Sequence, residues 1–262
     1  MGTTEKLKIA IEKELKAIGN AESKLRKKAQ KPVVSYREKL EEKIPKRIKS
    51  ALESSFSKAF GIVFENGVGI IEKGYNKNNI AADYDVQNYA IEKKGSRREI
   101  RRLKRSAMKS ELVNVSITAV EGIGLGVLGI GLPDVVIFVG MILKGIYEVS
   151  LRYGYDYNVP QEKRFILSMM KAALSNGEEW CRFNDEVDRM LCCGISEGDL
   201  KIEIDETSRV FATDLLLMKF IQGIPVVGAF GGFFNPVYYN KIMKYVRIKY
   251  HKRYLLDKVR CC

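Results

Sequence analysis

Residues 113–157 form the longest apolar stretch of the chain, and they limit the folds that it can adopt. Between residues 122 and 143 the single charged residue is Asp134. A run of about 20 apolar residues is long enough to cross a bilayer as one helix. Pro133 would interrupt such a helix, and Asp134 would lie near the bilayer centre at a cost of about 2.5–3.5 kcal/mol. The stretch therefore predicts a helical hairpin rather than a single membrane span.

The predicted hairpin assigns positions to the residues around its bend. The first helix would end near residue 132, and Pro133 would open a second helix that continues over residues 135–151. Asp134 would then lie in the first helical turn, near the positive end of the helix dipole, which favours a structural role over a catalytic one. Small residues four apart let helices approach closely, so this stretch is predicted to pack on a second apolar stretch, residues 221–239. The small-residue pairs are Gly122 with Gly126 and Gly228 with Gly232.

Positive charge concentrates directly before the first apolar stretch and directly after the second. Residues 92–109 contain nine Lys or Arg residues beside a narrow apolar stripe of Ile100, Leu103, Ala107 and Met108. Such a segment is usually a solvated helix face, yet its charge density makes it the strongest candidate anion-binding surface of the chain. Basic residues beside apolar helices are typical of a cytoplasmic membrane interface. The residues predicted to bind an anionic surface are Lys93, Lys94, Arg97, Arg98, Arg101, Arg102, Lys104, Arg105, Lys241, Lys244 and Arg247.

The net charge indicates which classes of partner the protein binds, and the cysteines indicate the cellular compartment. The 262 residues carry a net charge of +13, so an anionic partner is expected: a phospholipid surface, a nucleic acid or an acidic protein. The charged N-terminal residues do not resemble a secretory signal peptide. The five cysteines form no Cys-x-x-Cys motif and the chain has one histidine, so neither a metal site nor a cofactor is expected. Reduced thiols in a cytoplasmic protein are therefore predicted.

The fold class follows from the spacing of the apolar residues. Nearly every segment repeats them at three to four residues, which predicts an all-α, multi-helix fold with two glycine-rich apolar hairpins packed together. Residues 1–34 are predicted to form an N-terminal amphipathic helix and residues 35–262 a helical domain. Within that domain the acidic segment 178–206 is predicted to form an outer lobe.

Local signals predict three smaller features. Asn66-Gly67 is a turn dipeptide between two helices. Residues 195–204 are predicted to be turn-like, or to form a brief strand at residues 201–204. A helix over residues 207–220 is predicted to begin at a cap formed by Thr207 or Ser208.

Three segments, residues 43–60, 121–170 and 224–255, together resemble the EcsC protein family. The shared features are Glu121-Gly122, the glycine run after it, the Leu-Pro-Asp step, the Tyr-Gly-Tyr-Asp sequence and the final P-V-V-G-A-x-G-G-x-x-N stretch. The resemblance covers most of the chain after residue 40, except the acidic segment 178–206. The family takes its name from a gene beside the two components of an ABC transport system. No activity is established for it, so the resemblance implies a membrane-adjacent cytoplasmic protein and no catalytic residue.

Three functions remain open from the sequence. The favoured one is a protein at the cytoplasmic face of a membrane, peripheral or shallowly inserted, and an accessory to an ABC-type transporter. The second is a hydrolase-like enzyme that uses Glu121 and Asp134, because burial in apolar sequence would raise the pKa values of these two carboxyl groups. Nucleic-acid binding through the basic run is the least favoured, since no recognised module or interleaved aromatic residue accompanies it. The sequence does not indicate an oligomeric state. The candidate buried polar site comprises Glu121, Asp134, Arg152, Asp156 and Asn235.

Overall fold

The computed structural model describes residues 2–30, 44–72, 74–108, 132–221 and 236–260. Every regular element within these ranges is helical, which confirms the all-α prediction. The helices are α1 (Thr3–Ala29), α2 (Lys46–Ile62), α3 (Val68–Glu72), α4 (Lys77–Lys94), α5 (Arg97–Met108), α6 (Leu132–Arg152), α7 (Pro160–Leu174), α8 (Gly177–Cys193), α9 (Leu200–Ile221) and α10 (Pro236–Arg260).

Five helices enclose the hydrophobic core. Helix α6 packs on α2 and α10, α10 packs on α7, α7 packs on α9, and α9 returns to α2. Aromatic rings fill the space between α2, α6 and α9, where Phe56, Phe138 and Phe211 contact one another with ring centroids 5.2–6.4 Å apart. Helix α1 lies outside this ring of helices, against α10, α4, α5 and α8.

The acidic segment 178–206 packs on the core. Most of it forms helix α8, which buries Trp180, Phe183 and Val187 and lies against α7. The predicted strand at residues 201–204 is wrong, because these residues form the first turn of α9. The predicted cap is also wrong: the Thr207 and Ser208 hydroxyls donate to carbonyl oxygens one turn back, inside the helix. The helix is capped eight residues earlier, where the Asp199 carboxylate accepts the backbone N–H groups of Lys201 and Ile202.

The chain does not turn at Asn66-Gly67. It continues from α2 through a π-helical segment, Val63–Gly67, into α3. Val63 and Phe64 are buried there, so packing of the apolar residues keeps the backbone helical despite the turn dipeptide. A turn follows at Gly74.

Helix α10 buries one face that is rich in tyrosine. Tyr239, Ile242, Val246 and Tyr250 all lie in the core. Tyr239 contacts Gly145 on α6 so closely that a Cβ atom on this glycine would overlap the phenol. These tyrosines are therefore core residues in the structure.

The bend of the predicted hairpin lies partly outside the described residues. Helix α6 begins at Leu132, one residue before the predicted proline start. The glycine pairs at residues 122 and 126 and at 228 and 232 fall outside the described ranges. Among the helices that the structure describes, none has the length and apolarity needed to span a bilayer.

Candidate functional site

The basic run of the sequence forms a corner of two helices. Helix α4 ends at Gly95, which has a φ of 59°, and α5 begins two residues later. Glycine suits this position because its conformation is left-handed and because Thr3 of α1 lies directly against it. We call this corner the α4–α5 basic surface. It comprises Lys93, Lys94, Arg97, Arg98, Arg101, Arg102, Lys104 and Arg105.

An apolar stripe fixes α5 to the rest of the protein. Ile100, Leu103 and Ala107 are fully buried, as the spacing predicts, and α5 contacts α1, α4, α6 and α10. Met108, which was assigned to the same stripe, is instead 54% exposed. On α6, the Arg152 guanidinium donates to the Ser106 hydroxyl at 2.9 Å, which adds a polar tie. The exposed charges of α5 therefore stand on an ordered helix.

A buried carboxylate on α1 holds two of the arginines. Glu14 Oε1 accepts from Arg97 Nε at 2.5 Å and from Arg101 Nε at 2.9 Å. The neighbouring His251 and the two guanidinium groups hold the pKa of Glu14 well below its ordinary value, against burial, which raises it. Glu14 therefore stays ionised and orients the two arginines.

His251 lies beneath this pair on α10. Its Nε2 atom is 3.8 Å from Glu14 Oε2, and the ring packs 5.8 Å from that of Tyr153. Neither ring nitrogen has a hydrogen-bond partner within the described residues. Burial lowers the pKa of His251, so the imidazole is neutral near pH 7.

The remaining cations of the corner face solvent. Lys93, Arg98, Arg102 and Arg105 are exposed, and none forms an ion pair with an acidic residue that the structure describes. Residues 93–105 hold eight basic residues and one acid, Glu99, which gives a net charge of +7. Lys94 lies 3.7 Å from that glutamate. The corner is therefore a dense and largely unneutralised cationic surface.

Large apolar side chains flank the same surface. On α4, Val86 is 68% exposed and Tyr89 is 61% exposed, and they precede Lys93 by seven and four residues. These spacings place the three side chains on one helix face. The Lys93 ammonium group lies 5.5 Å from the Tyr89 ring centroid. Met108 is exposed at the far end of α5, so both helices that carry the cations also present exposed apolar groups.

The three cations predicted on the last helix have different surroundings. Lys241 Nζ donates to the carbonyl oxygen of Leu174 at 3.0 Å and lies 3.8 Å from Asp214. Lys244 is exposed, and Arg247 is half-buried one helical turn before His251. Lys241 therefore ties α10 to the end of α7 rather than contributing to the α4–α5 basic surface.

Of the five residues of the candidate buried polar site, the structure describes the side chains of Arg152 and Asp156, so the site as a whole stays a prediction. Glu121 and Asn235 lie outside these residues, and Asp134 is in the first turn of α6 with its side chain outside them. Arg152 points to Ser106. Asp156 is exposed, and its carboxylate accepts the backbone and side-chain N–H groups of Asn158 at 3.0 Å, which closes the loop before α7.

The Tyr-Gly-Tyr-Asp sequence forms part of the loop of residues 153–157, which we call the tyrosine loop. The Tyr155 hydroxyl donates to Asp257 at 2.7 Å, and the Tyr157 hydroxyl donates to Glu72. Tyr75 in turn donates to the Tyr157 oxygen at 2.9 Å. The hydrogen bond from Tyr157 lowers the pKa of Glu72. Burial raises the pKa values of the three tyrosines, so they act as neutral hydrogen-bonding groups that tie the loop to α3 and α10.

Sequence patterns missed several buried charges. Lys249 is fully buried on α10, and its ammonium group lies 2.6 Å from Glu22 and 2.8 Å from Asp188. Lys171 on α7 is likewise buried, 2.7 Å from Glu203 and close to Glu206. These carboxylates belong to other helices, so no spacing along the chain could have identified them. Each lysine joins helices rather than facing a cavity.

The comparisons with known proteins identify the family. The model of the EcsC protein family matches residues 10–255. The chain belongs to the EcsC protein family. No curated protein and no solved structure gives a significant match. For this EcsC protein the match includes most of α1, the α4–α5 basic surface and the tyrosine loop. Within the described residues, no cluster of three or more His, Cys, Asp or Glu side chains could hold a metal ion.

Proposed function

We propose that this EcsC protein binds the anionic cytoplasmic surface of a membrane through the α4–α5 basic surface. The observation that carries the proposal is the combination of exposed cations with exposed Val86, Tyr89 and Met108 on the same two helices. Anionic headgroups attract the cations, at about 1 kcal/mol for each Lys or Arg near the surface. Apolar side chains gain by entering the boundary between headgroups and acyl chains.

The apolar residues favour a lipid surface over a nucleic acid. The charge alone would suit either partner, because both present phosphate groups. Val86 is aliphatic and cannot stack on a base, yet its exposure is the largest among the big apolar side chains that the structure describes. A lipid interface gives such a group an apolar environment, whereas a phosphate backbone does not.

Two substitutions test the proposal with little risk to folding. Arg98→Gln with Arg102→Gln removes two exposed charges that form no ion pair with the described residues. At about 1 kcal/mol for each charge, affinity for phosphatidylserine-containing vesicles should fall roughly 30-fold. The matched control is Lys46→Gln with Arg47→Gln, which removes two exposed charges from the start of α2.

Three outcomes of the cosedimentation assay would overturn the proposal. One is equal binding of the arginine variant and the unsubstituted protein. Another is an equal loss of vesicle affinity in the α2 control, which would mean that binding depends on the net charge of the protein and not on this surface. The third is tighter binding to a short DNA or RNA duplex than to the vesicles at the same salt concentration.

Association with an ABC-type transporter is a narrower proposal that rests on family membership. A protein bound to the membrane surface would diffuse in the same plane as a transporter, which brings it close to the transporter's cytoplasmic domains. Affinity purification from detergent-solubilised membranes should recover transporter subunits with the unsubstituted protein and fewer with the Arg98→Gln, Arg102→Gln variant. Recovery of no transporter subunit with either protein would reject the accessory role and leave the lipid-binding proposal standing.

A further inference from the structure

A pocket opens between five helices, away from the α4–α5 basic surface. It lies where the end of α1 meets the ends of α7 and α9 and the starts of α8 and α10, and its volume is about 560 Å³. Sites for small organic ligands usually enclose about 300–1,000 Å³. Most of its lining is apolar, from Leu25, Ala29, Ala173, Trp180, Met218 and Tyr245. We call it the Trp180 pocket.

The two tyrosine hydroxyls of the aromatic wall are already bonded within the protein. The Tyr245 hydroxyl donates to Asn184 Oδ1 at 2.9 Å, and the Tyr238 hydroxyl donates to the carbonyl oxygen of Asp214 at 2.9 Å. Trp180 is 4% exposed, and the Arg26 guanidinium lies over its ring, 5.9 Å from the centroid. The aromatic residues therefore offer ring carbons to an occupant, which suits an aliphatic chain.

Three lysines and one carboxylate set the charge of the pocket. Asp214 is balanced by Lys241, whose ammonium group lies 3.8 Å away and also donates to the Leu174 carbonyl at the negative end of α7. Lys28 and Lys244 line the pocket as well, and both are exposed. Neither forms an ion pair with the acidic residues that the structure describes. The pocket therefore presents net positive charge.

We propose that the Trp180 pocket binds a single-chain anionic lipid, with the chain among the apolar residues and the headgroup between Lys28 and Lys244. This site goes beyond binding to a membrane surface. Lys28 is 14 residues along α1 from Glu14, which at 1.5 Å per residue is roughly 21 Å. The pocket and the α4–α5 basic surface can therefore be tested independently.

The chain provides its own reporter for the pocket. Trp180 is the single tryptophan of the sequence, so tryptophan emission reports on this site alone. Laurate, titrated below its micelle concentration, should produce a saturable change in emission. Dodecyltrimethylammonium, which has the same chain length and the opposite charge, should produce none over the same range. Far-UV circular dichroism, recorded on the same samples, should stay constant.

Two variants separate this site from the membrane surface. Lys28→Gln with Lys244→Gln should weaken laurate binding by up to about 25-fold, since an exposed charge pair is worth at most about a factor of five. Arg98→Gln with Arg102→Gln should leave the laurate titration unchanged while it weakens vesicle binding. A variant that loses the laurate response and keeps vesicle binding would show that the two sites are separate.

Several results would overturn the lipid site. These are an emission that does not saturate with laurate, an equal response to the cationic amphiphile, and unchanged laurate affinity in the lysine variant. A loss of helicity that follows the emission change would mean unfolding by the amphiphile and would also reject the site.

Discussion

Gly154 lies directly against the ring of Tyr84, and a Cβ atom at this position would overlap the phenol. Its φ angle is 79°, in the region where residues other than glycine are strained. The contact brings the loop after α6 onto α4, the helix that carries Val86 and Tyr89. Gly154 is thus required both by the backbone conformation and by the close approach of a neighbouring side chain.

Gly154→Ala should lower the free energy of unfolding by about 2–4 kcal/mol, from backbone strain and from overpacking together. In a Tyr84→Ala background the same substitution should cost only the strain, about 1–2 kcal/mol. Chemical denaturation of the four proteins of this cycle measures both values. Equal costs in the two backgrounds would show that the contact with Tyr84 is not tight.

Tyr157 and Tyr147 offer a matched pair for the hydrogen bonds of the loop. The rings stack with centroids 4.1 Å apart, but only Tyr157 uses its hydroxyl, between Tyr75 and Glu72. The Tyr147 hydroxyl is buried without a partner among the described residues. Tyr157→Phe should therefore cost about 1–3 kcal/mol, and Tyr147→Phe should be neutral or stabilising. Thermal unfolding that shows equal losses would contradict the assigned hydrogen bonds.

Burial of apolar helix faces could be predicted from the sequence, whereas the long-range partners of the tyrosine loop could not. Periodicity placed Ile100, Leu103 and Ala107 of α5 in the core correctly, because apolar residues at helical spacing report burial directly. The partners of the loop tyrosines could not be predicted, since Glu72 is 85 residues from Tyr157 and Asp257 is 102 residues from Tyr155. The burial of Lys249 could not be predicted either, because a basic residue indicates exposure unless its acidic partners are known.

Local signals failed where packing outweighed them. The Asn66-Gly67 dipeptide predicted a turn, yet burial of Val63 and Phe64 keeps this part of the chain helical. Thr207 and Ser208 predicted a helix start, but both hydroxyls bond to their own helix and Asp199 accepts the first N–H groups. The basic surface was found because charge density does not depend on tertiary contacts. The apolar residues beside it were missed, since Val86 and Tyr89 resemble core residues in the sequence.

Lys249 joins α1, α8 and α10 through Glu22 and Asp188. Lys249→Met should lower the free energy of unfolding by about 1–3 kcal/mol, because it removes the buried counter-charge of two carboxylates that keep Lys252 as a partner. Lys252 contacts the same two carboxylates but is 20% exposed, so Lys252→Met is the control and should cost less. Urea denaturation that ranks the two variants in the opposite order would contradict the buried network.

His251 should make the protein less stable in mild acid. Burial lowers its pKa below the ordinary value of 6.5, so the unfolded chain binds a proton more readily as the pH falls through this value. The charged and titratable groups around it are Glu14 on α1, Lys104 on α5 and Tyr153 after α6. Since the chain has one histidine, His251→Gln should reduce the fall in Tm between pH 7.5 and pH 5.5. An undiminished fall in the variant would contradict a neutral, buried imidazole.

The most direct test of the central claim is cosedimentation of the unsubstituted protein with vesicles at two salt concentrations. The claim is that exposed cations and apolar groups of the α4–α5 basic surface bind an anionic membrane. At low salt the protein should bind phosphatidylserine-containing vesicles and leave neutral phosphatidylcholine vesicles largely unbound. Salt at 1 M shortens the electrostatic screening length to about 3 Å and should release most of the bound protein. Equal binding to both vesicle types, or binding to neither, would contradict the claim.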